Sequence, residues 1–463
     1  MSDAHALQEY LDQLVNFERV HRPQAMRRVR LDRMLRLCGR LGDPQRRFRT
    51  LLVAGTNGKG SICAMLYAIL RAAGLRVGLY TSPHLQDARE RIRVTLPGAA
   101  PRDDADGADW IAPAAFMDAI SRVRAAADAR NAPTYFEVLT AAALLHFADS
   151  RVELAVVEVG LGGRLDATNV TDPAVSILAP IGLDHMDVLG KDERAIAREK
   201  AGIIRPGRTV ISARQQPAVA TLLRELAGTA NCRFLECGRE IAADVLAHTP
   251  QGLRVSLRGL RGCYEDVAVP FLGRHQADNA AVAVAAVESL SECGVPHGAV
   301  QRGLARSRWP GRLELIEESP VVLLDGAHNA PAAEAVRAAL AELWPDRRLH
   351  LLVGMSADKP VEAVASILGP AAASVTCATS RHPRACDAER VAQAYRRSAT
   401  SVTVVPDALD AYTYVLNTAA AQDVILVTGS LFLVGEVRAA LRNSRAQRRT
   451  TRARRPRSVA ASS

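Results

Sequence analysis

The sequence predicts an α/β protein with two mainly parallel sheets, the first large and carrying a phosphate-binding loop, the second smaller and doubly wound. Three observations predict it. Short apolar runs alternate with helical periodicity along most of the chain, the pattern of strands covered by helices on both faces. A glycine-rich turn joins the first such run to the helix that follows it. A second alternating series begins near residue 321, after a Pro-Gly turn.

The elements follow in order. Residues 7–47 carry amphipathic helical patterns rich in Arg and Leu, leading into a strand over 51–54. A glycine-rich turn comes next, then an apolar-periodic helix over 61–73 that ends at Gly74. A strand over 77–82 precedes a charged segment through Arg93, and residues 97–109, rich in Pro, Gly, Ala and Asp, read as an exposed loop. Helical patterns at 114–130 and 136–149 lead to a strand at 154–159, and strands at 174–178 and 209–212 flank a helical segment near 191–203. The second series has strands at 321–325, 349–353, 374–377, 401–405 and 424–427. We therefore expect a phosphate-loop domain over 1–305, a linker over 306–320, a Rossmann-like domain over 321–441 and a tail over 442–463.

Composition bounds the function. The 463 residues are 48% hydrophobic, enough for substantial cores in two domains. The N-terminus lacks a basic-then-apolar signal and no uncharged run approaches membrane-spanning length, so a cytoplasmic protein is expected. Eight cysteines form no Cys-x-x-Cys pair, which reads as reduced thiols without a zinc site. The net charge of +10 owes eight charges to the arginines of 442–463, leaving about +2 on the body. No basic stripe remains to suggest a specific nucleic-acid partner, and the tail reads as solvated and disordered. No strongly apolar surface segment suggests a partner, so a monomer is expected.

Charge identity is more informative than charge sum. Of 59 lysines and arginines only four are lysine: Lys59, Lys191, Lys200 and Lys359. Where arginine serves almost everywhere, a surviving lysine points to chemistry arginine cannot do, such as offering a neutralisable amine or a compact charge. Lys59 lies in Gly55-Thr56-Asn57-Gly58-Lys59-Gly60-Ser61, between the predicted strand and helix. In that context backbone N–H groups and the helix N-terminus favour phosphates, Lys59 reaches the terminal ones, and Ser61 offers a hydroxyl to magnesium. The loop is shorter than the standard phosphate loop and has an extra glycine after the lysine. Glu158 sits at the end of an otherwise apolar strand, where a carboxylate is costly unless a cation satisfies it. A magnesium ligand is the favoured reading there, a salt bridge to Arg164 the alternative. Asp184 and His185 follow the next strand, with Lys200 fifteen residues beyond His185.

Together these segments resemble a known family. Its marks are the 55–61 loop, Thr81-Ser82-Pro83-His84-Leu85, Phe136-Glu137, the run from Glu158 to Asn169, Leu183-Asp184-His185, Arg198-Glu199-Lys200-Ala201-Gly202-Ile203, Pro310-Gly311-Arg312 and Asp325-Gly326-Ala327-His328-Asn329. Their order and approximate spacing, from about residue 7 to 440, are similar to folylpolyglutamate synthases and the bacterial enzymes that are also dihydrofolate synthases, within the Mur ligase superfamily.

The resemblance implies a phosphate-loop ATPase domain of Mur-ligase type and an ATP-dependent amide ligase of folate biosynthesis. The γ-phosphate would pass to a carboxylate of a pterin-bearing substrate, and the amino group of L-glutamate would attack the acyl phosphate. Gly55 to Ser61 would hold ATP, Ser82 and Glu158 one Mg2+, and His185 and Lys200 a second, Lys200 as a carbamate. Arginine stays protonated and cannot form a carbamate, which gives the lysine count its meaning. Arg312, Asp325 and His328 would reach the nucleotide from the second domain, with His328 near the reacting carboxylate and Asn279 a further nucleotide contact. The implied catalytic set is Lys59, Lys200 and His328. The segment 81–85, His84 within it, and residues 87–93 would help form the pterin pocket, and Ser430 would help bind glutamate. Lys359 matches a family motif, and Lys191 reads as a surface charge. Two alternatives stand beside this: another Mur-type amino-acid ligase, and a nucleotide-gated homologue without catalysis. The phosphate loop beginning at residue 55, with no separate domain for a uridine nucleotide ahead of it, weighs against the first. Intact Lys59, Glu158, His185 and Lys200 weigh against the second. Dihydropteroate, reduced folates, or both remain open as acceptors.

Overall fold

The structure, a computed structural model, describes residues 3–20, 22–26, 30–95 and 107–453. The chain divides into two compact units between Arg312 and Leu313, with Ala338–Leu343 grouped with the first.

The first unit is built on a seven-stranded sheet of β1 (Arg49–Ala54), β2 (Val77–Tyr80), β3 (Ile92–Val94), β4 (Leu154–Glu158), β5 (Pro173–Leu178), β6 (Thr209–Ser212) and β7 (Arg233–Glu236). Their order is β3-β2-β4-β1-β5-β6-β7. Every pairing is parallel except that of β2 with the edge strand β3. Every residue of β2 and β4 is buried, as a parallel sheet covered on both faces requires, and this explains their unbroken apolar runs. One core lies against the helices Lys59–Ala72 and His275–Glu288, the other against Pro113–Ala126, Tyr135–Asp149, Glu193–Ala201 and Pro217–Thr229. Tyr135–Asp149 starts on a capping box in which Thr134 and Glu137 satisfy each other's backbone N–H, and Arg33 pairs with Glu137 at 2.7 Å. A three-stranded antiparallel sheet of β8 (Ala242–Thr249), β9 (Gly252–Arg258) and β10 (Cys263–Val269) joins the first core; the sequence reading did not anticipate it.

The second unit has a six-stranded sheet of β11 (Glu314–Glu318), β12 (Val321–Leu324), β13 (Leu349–Val353), β14 (Ser374–Thr379), β15 (Val402–Asp407) and β16 (Val424–Thr428), ordered β11-β12-β16-β13-β14-β15. All neighbours run parallel except β11.

Two boundaries are corrected. The linker expected over 306–320 is shorter, because the helix His297–Arg306 runs up to it and β11 already belongs to the second sheet. That strand escaped notice because Glu314, Glu317 and Glu318 interrupt its apolar pattern on an edge where partial exposure tolerates them. The tail expected to be disordered over 442–463 is helical through 453, as the end of the helix Leu431–Ala453; residues 454–463 lie outside the described residues. The loop expected over 97–109 falls mostly outside them too, and its end leads to Trp110, which bridges to Arg93. All eight cysteines are free thiols. Among the described residues no helix is long and apolar enough to cross a membrane.

Candidate active site

Parallel strands deliver their C-terminal ends to one edge, and β1, β4 and β5 are neighbours, with Val53 beside Glu158 and Ala54 beside Leu178. The loop leaving β1 is shaped by its glycines. Gly58 adopts φ 80° as the residue before the helix Lys59–Ala72, a conformation costly for side chains. At Gly55 a Cβ would lie 2.6 Å from the Ala179 Cβ, so only glycine lets the loop pass the chain leaving β5. Thr56 and Asn57 donate their N–H groups to Pro180 O at 2.9 and 3.2 Å, and the Thr56 hydroxyl exchanges hydrogen bonds with the backbone of Gly182. Those two N–H groups are therefore used to hold the loop. The donors left for an anion are those of the first helical turn, Lys59, Gly60 and Ser61, which have no intrahelical acceptor.

Around this loop the structure collects a set of charges. Lys59 Nζ donates to Thr56 O at 3.3 Å and stands 4.0 Å from Glu158 Oε1. The other Glu158 oxygen accepts the Ser82 N–H at 3.2 Å. Burial raises the Glu158 pKa, opposed by Lys59, the Ser82 N–H, Arg312 and Arg91. Arg164, the alternative partner considered for Glu158, pairs instead with Glu199 at 2.9 Å. Lys200 is buried and donates from Nζ to Gly55 O at 2.8 Å. Burial, then the charge of Lys59, pulls its pKa down from 10.5 to about 7, against Asp184 and Asp166. Asp184 accepts the His185 N–H at 2.9 Å, and His185 sits at φ 49° where the short helix Met186–Leu189 begins.

Further residues join from elsewhere in the first unit. A Cβ at Gly58 would lie 3.0 Å from Asn279 Oδ1. The Asn279 amide donates to Gln276 Oε1 at 2.9 Å, and Gln276 Nε2 donates to the Ser61 hydroxyl at 3.3 Å. His84 Nδ1 accepts from Arg91 Nε at 2.9 Å, and the buried Arg91 guanidinium is held by Glu18 and lies over the Tyr135 ring. Sequence reasoning missed Gln276 and Glu18, and placed Arg91 in the 87–93 stretch of the expected pterin pocket without a role of its own. Gln276 neighbours Asn279 and was within reach of notice; Arg91 and Glu18 are 73 residues apart and no local pattern links them.

In the second unit Asp325 follows β12 and accepts the N–H groups of Leu313 at 2.8 Å and Ala327 at 2.7 Å. His328 Nδ1 is 2.9 Å from Gly326 O, and the Ser430 hydroxyl, after the neighbouring β16, accepts the Phe432 N–H at 3.2 Å. Asp325 and Ser430 thus follow adjacent parallel strands of one sheet.

Among the described residues no three His, Cys, Asp or Glu side chains are grouped to hold a metal. Among the described residues, the donors near the loop include the buried carboxylate of Glu158 and the serines Ser61 and Ser82. That set suits Mg2+, which binds through one or two carboxylates and completes its shell with phosphate oxygens and water. Lys200 as an ammonium cannot ligate a cation; as a carbamate it could.

Residues 53–287 match the Mur ligase middle domain, and residues 311–431 match the Mur ligase, glutamate ligase domain. The dihydrofolate synthase/folylpolyglutamate synthase of Bacillus subtilis (strain 168) is 34% identical over 421 residues, 89% of this chain and 95% of that protein. The chain belongs to the dihydrofolate synthase/folylpolyglutamate synthase family of Mur ligases. Solved structures of the family agree in fold. Escherichia coli FolC in complex with DHPP and ADP superposes with a TM-score of 0.83 at 30% identity, covering 96% of this chain and 99% of that one. A bifunctional folylpolyglutamate synthase/dihydrofolate synthase with Mn, AMPPNP and L-glutamate bound gives 0.80 at 29% identity, covering 96% and 98%. Family membership makes this chain an ATP-dependent ligase, with its glycine-rich loop in the middle domain.

Proposed function

We propose that this chain uses ATP to join L-glutamate to a carboxylate of a pterin-bearing acid, dihydropteroate or a reduced folate, through an acyl phosphate. The observation that carries the reading is the gathering of Lys59, Glu158 and a buried Lys200 around one glycine-rich turn. Lys59, a compact charge beside the first helical turn, holds the terminal phosphates. Glu158, with Ser61 and Ser82, holds a divalent ion. Bound ions neutralise charge on the triphosphate and the two anionic substrates and align the transferred group.

Lys200 has the environment that carbamate formation needs. With its pKa pulled to about 7, much of the amine is unprotonated at neutral pH. The unprotonated amine nitrogen bonds to the carbon of CO2 and gives one proton to solvent, turning a neutral amine into an anion that, with His185, would hold a second ion. From the second unit Asp325 and His328 serve the nucleotide and the reacting carboxylate, with Arg312 at the junction and Ser430 toward glutamate. His84, fixed by Arg91, lines the pterin side. The relatives carry both synthase names, and both acceptors are kept in the proposal.

The test supplies ATP and L-glutamate with either dihydropteroate or a tetrahydrofolate and follows ADP. ADP formation should require glutamate and at least one of the two acids; release indifferent to both would remove the ligase reading. Lys200→Arg should abolish turnover while calorimetric ATP binding stays within several-fold of wild type, and normal turnover in that variant would remove the carbamate.

A further inference from the structure

We infer that Asn169 is a positioning residue for Lys200, setting with one side-chain amide the spacing between the turn after β4 and the helix that presents the lysine. Its two N–H groups go to two carbonyls on different segments: Arg164 O at 3.0 Å, in the turn, and Gly202 O at 3.1 Å, just past the helix Glu193–Ala201. Its Oδ1 accepts from Arg205 at 2.8 Å. Donors and acceptor are all used, so the amide has a single orientation; reversed, it would set its oxygen against two carbonyls.

The two segments it joins touch backbone to backbone. Arg164 N donates to Glu199 O at 2.9 Å. A Cβ at Gly163 would lie 2.7 Å from Lys200 O, and one at Gly202 would collide with Arg164. Asn169 is itself buried and belongs to the short 3-10 turn Ala167–Val170, which Asp166 caps through the Thr168 N–H and hydroxyl. The amide is thus a rigid spacer between the turn continuing from Glu158 and the last helical residues before Gly202. Lys200 points from that junction to Gly55 O. A shift of the junction moves the amine relative to the phosphate loop, and misplacement of about 1 Å costs on the order of 10²-fold in rate.

The inference rests on the proposed role of Lys200, and the test separates the two. Asn169→Ala is compared with Arg205→Gln, which removes donors to Asn169 O, Asn169 Oδ1 and Thr171 O and two longer ones, to Gly202 O at 3.5 Å and Ile203 O at 3.4 Å, but leaves both amide bonds of Asn169 in place. Thermal midpoint, calorimetric ATP Kd and kcat are read for both. A positioning role predicts that Asn169→Ala loses about 10–100-fold in kcat, the range for residues that orient metal ligands, with ATP Kd changed less than about threefold. Arg205→Gln, at a comparable loss of thermal midpoint, should keep kcat within about threefold. Equal losses of kcat in both variants would make Asn169 merely structural and overturn the inference, as would full kcat in Asn169→Ala. Should Asn169→Ala not fold, Asn169→Ser, which keeps one short donor, must show the same split between kcat and Kd, and its absence overturns the inference. Lys200→Ala is run in parallel: turnover there refutes the proposed role of the lysine, whereas an inactive Lys200→Ala beside a fully active Asn169→Ala refutes only the positioning.

Discussion

A lysine buried next to another lysine is an expensive residue, and at Lys200 the cost follows pH. Its folded-state pKa is about 7 against an ordinary 10.5, so between those values the unfolded chain binds the extra proton. Stability therefore rises with pH across that window, and below about 7 the full penalty of the buried ammonium is present. Lys200→Met removes the penalty together with the bond to Gly55 O. The loss of that bond is independent of pH; the gain is not. The thermal midpoint of Lys200→Met relative to wild type, without nucleotide, should climb as the buffer is taken from pH 10 down to pH 6, and a difference that stays flat would show that the amine is not desolvated. The same desolvation was legible only in part from the sequence. Rarity singled out Lys59 and Lys200, and an acidic residue closing an apolar strand singled out Glu158. Nothing local pointed to Asn169 as a clamp or to Arg91 as the support of His84, because their partners are set by folding: Arg205 lies 36 residues beyond Asn169, and Glu18 lies 73 before Arg91.

At the scale of elements, the strand, turn and helix of the phosphate loop were readable because each obeys its own period and the glycines punctuate them. Most of the parallel strands were readable as unbroken apolar runs, but β7 was not, because its first residue, Arg233, is exposed and only Leu235 and Glu236 are buried. Nor was the hairpin sheet β8 to β10: no residue of β8 is fully buried, half are exposed, and its apolar residues do not alternate to declare a face. Also invisible was the partner of Gly60. A Cβ there would lie 2.5 Å from Trp309 Nε1 and 2.9 Å from Cε2, so the indole rests on the first turn of the helix, with Arg93 over its ring. Gly60→Ala must displace either the indole or the turn whose N–H groups face the nucleotide. It should weaken ATP binding about tenfold, about 1.4 kcal/mol, while Trp309→Leu alone has little effect and the double variant returns close to it. Calorimetry on the four proteins gives the coupling. If the double variant binds ATP no better than Gly60→Ala, the methyl itself obstructs the site and the indole is not the cause.

At the scale of the whole chain, two sheets of separate strand order define two units, and each has its own means of cohesion. In the second, the N-terminal ends of three adjacent strands are tied by one buried histidine. His350 on β13 is 2.8 Å from the Ser374 hydroxyl, at the start of β14, and 3.0 Å from Asp423 Oδ2, just before β16. Asp423 is 1% exposed, and its other oxygen has no hydrogen-bond partner among the described residues, so the carboxylate leans on His350 and the Ala420 N–H. Removing one member of such a buried pair leaves the other uncompensated, a loss of about 3 kcal/mol. His350→Ala should therefore open the second sheet selectively. In native-state hydrogen exchange the slow amides of β13, β14 and β16 should lose about 100-fold in protection, while those of β1, β4 and β5 keep theirs. Equal loss in both sheets would mean that the chain unfolds as one cooperative body, and the division at Arg312 would then mark geometry without independent stability.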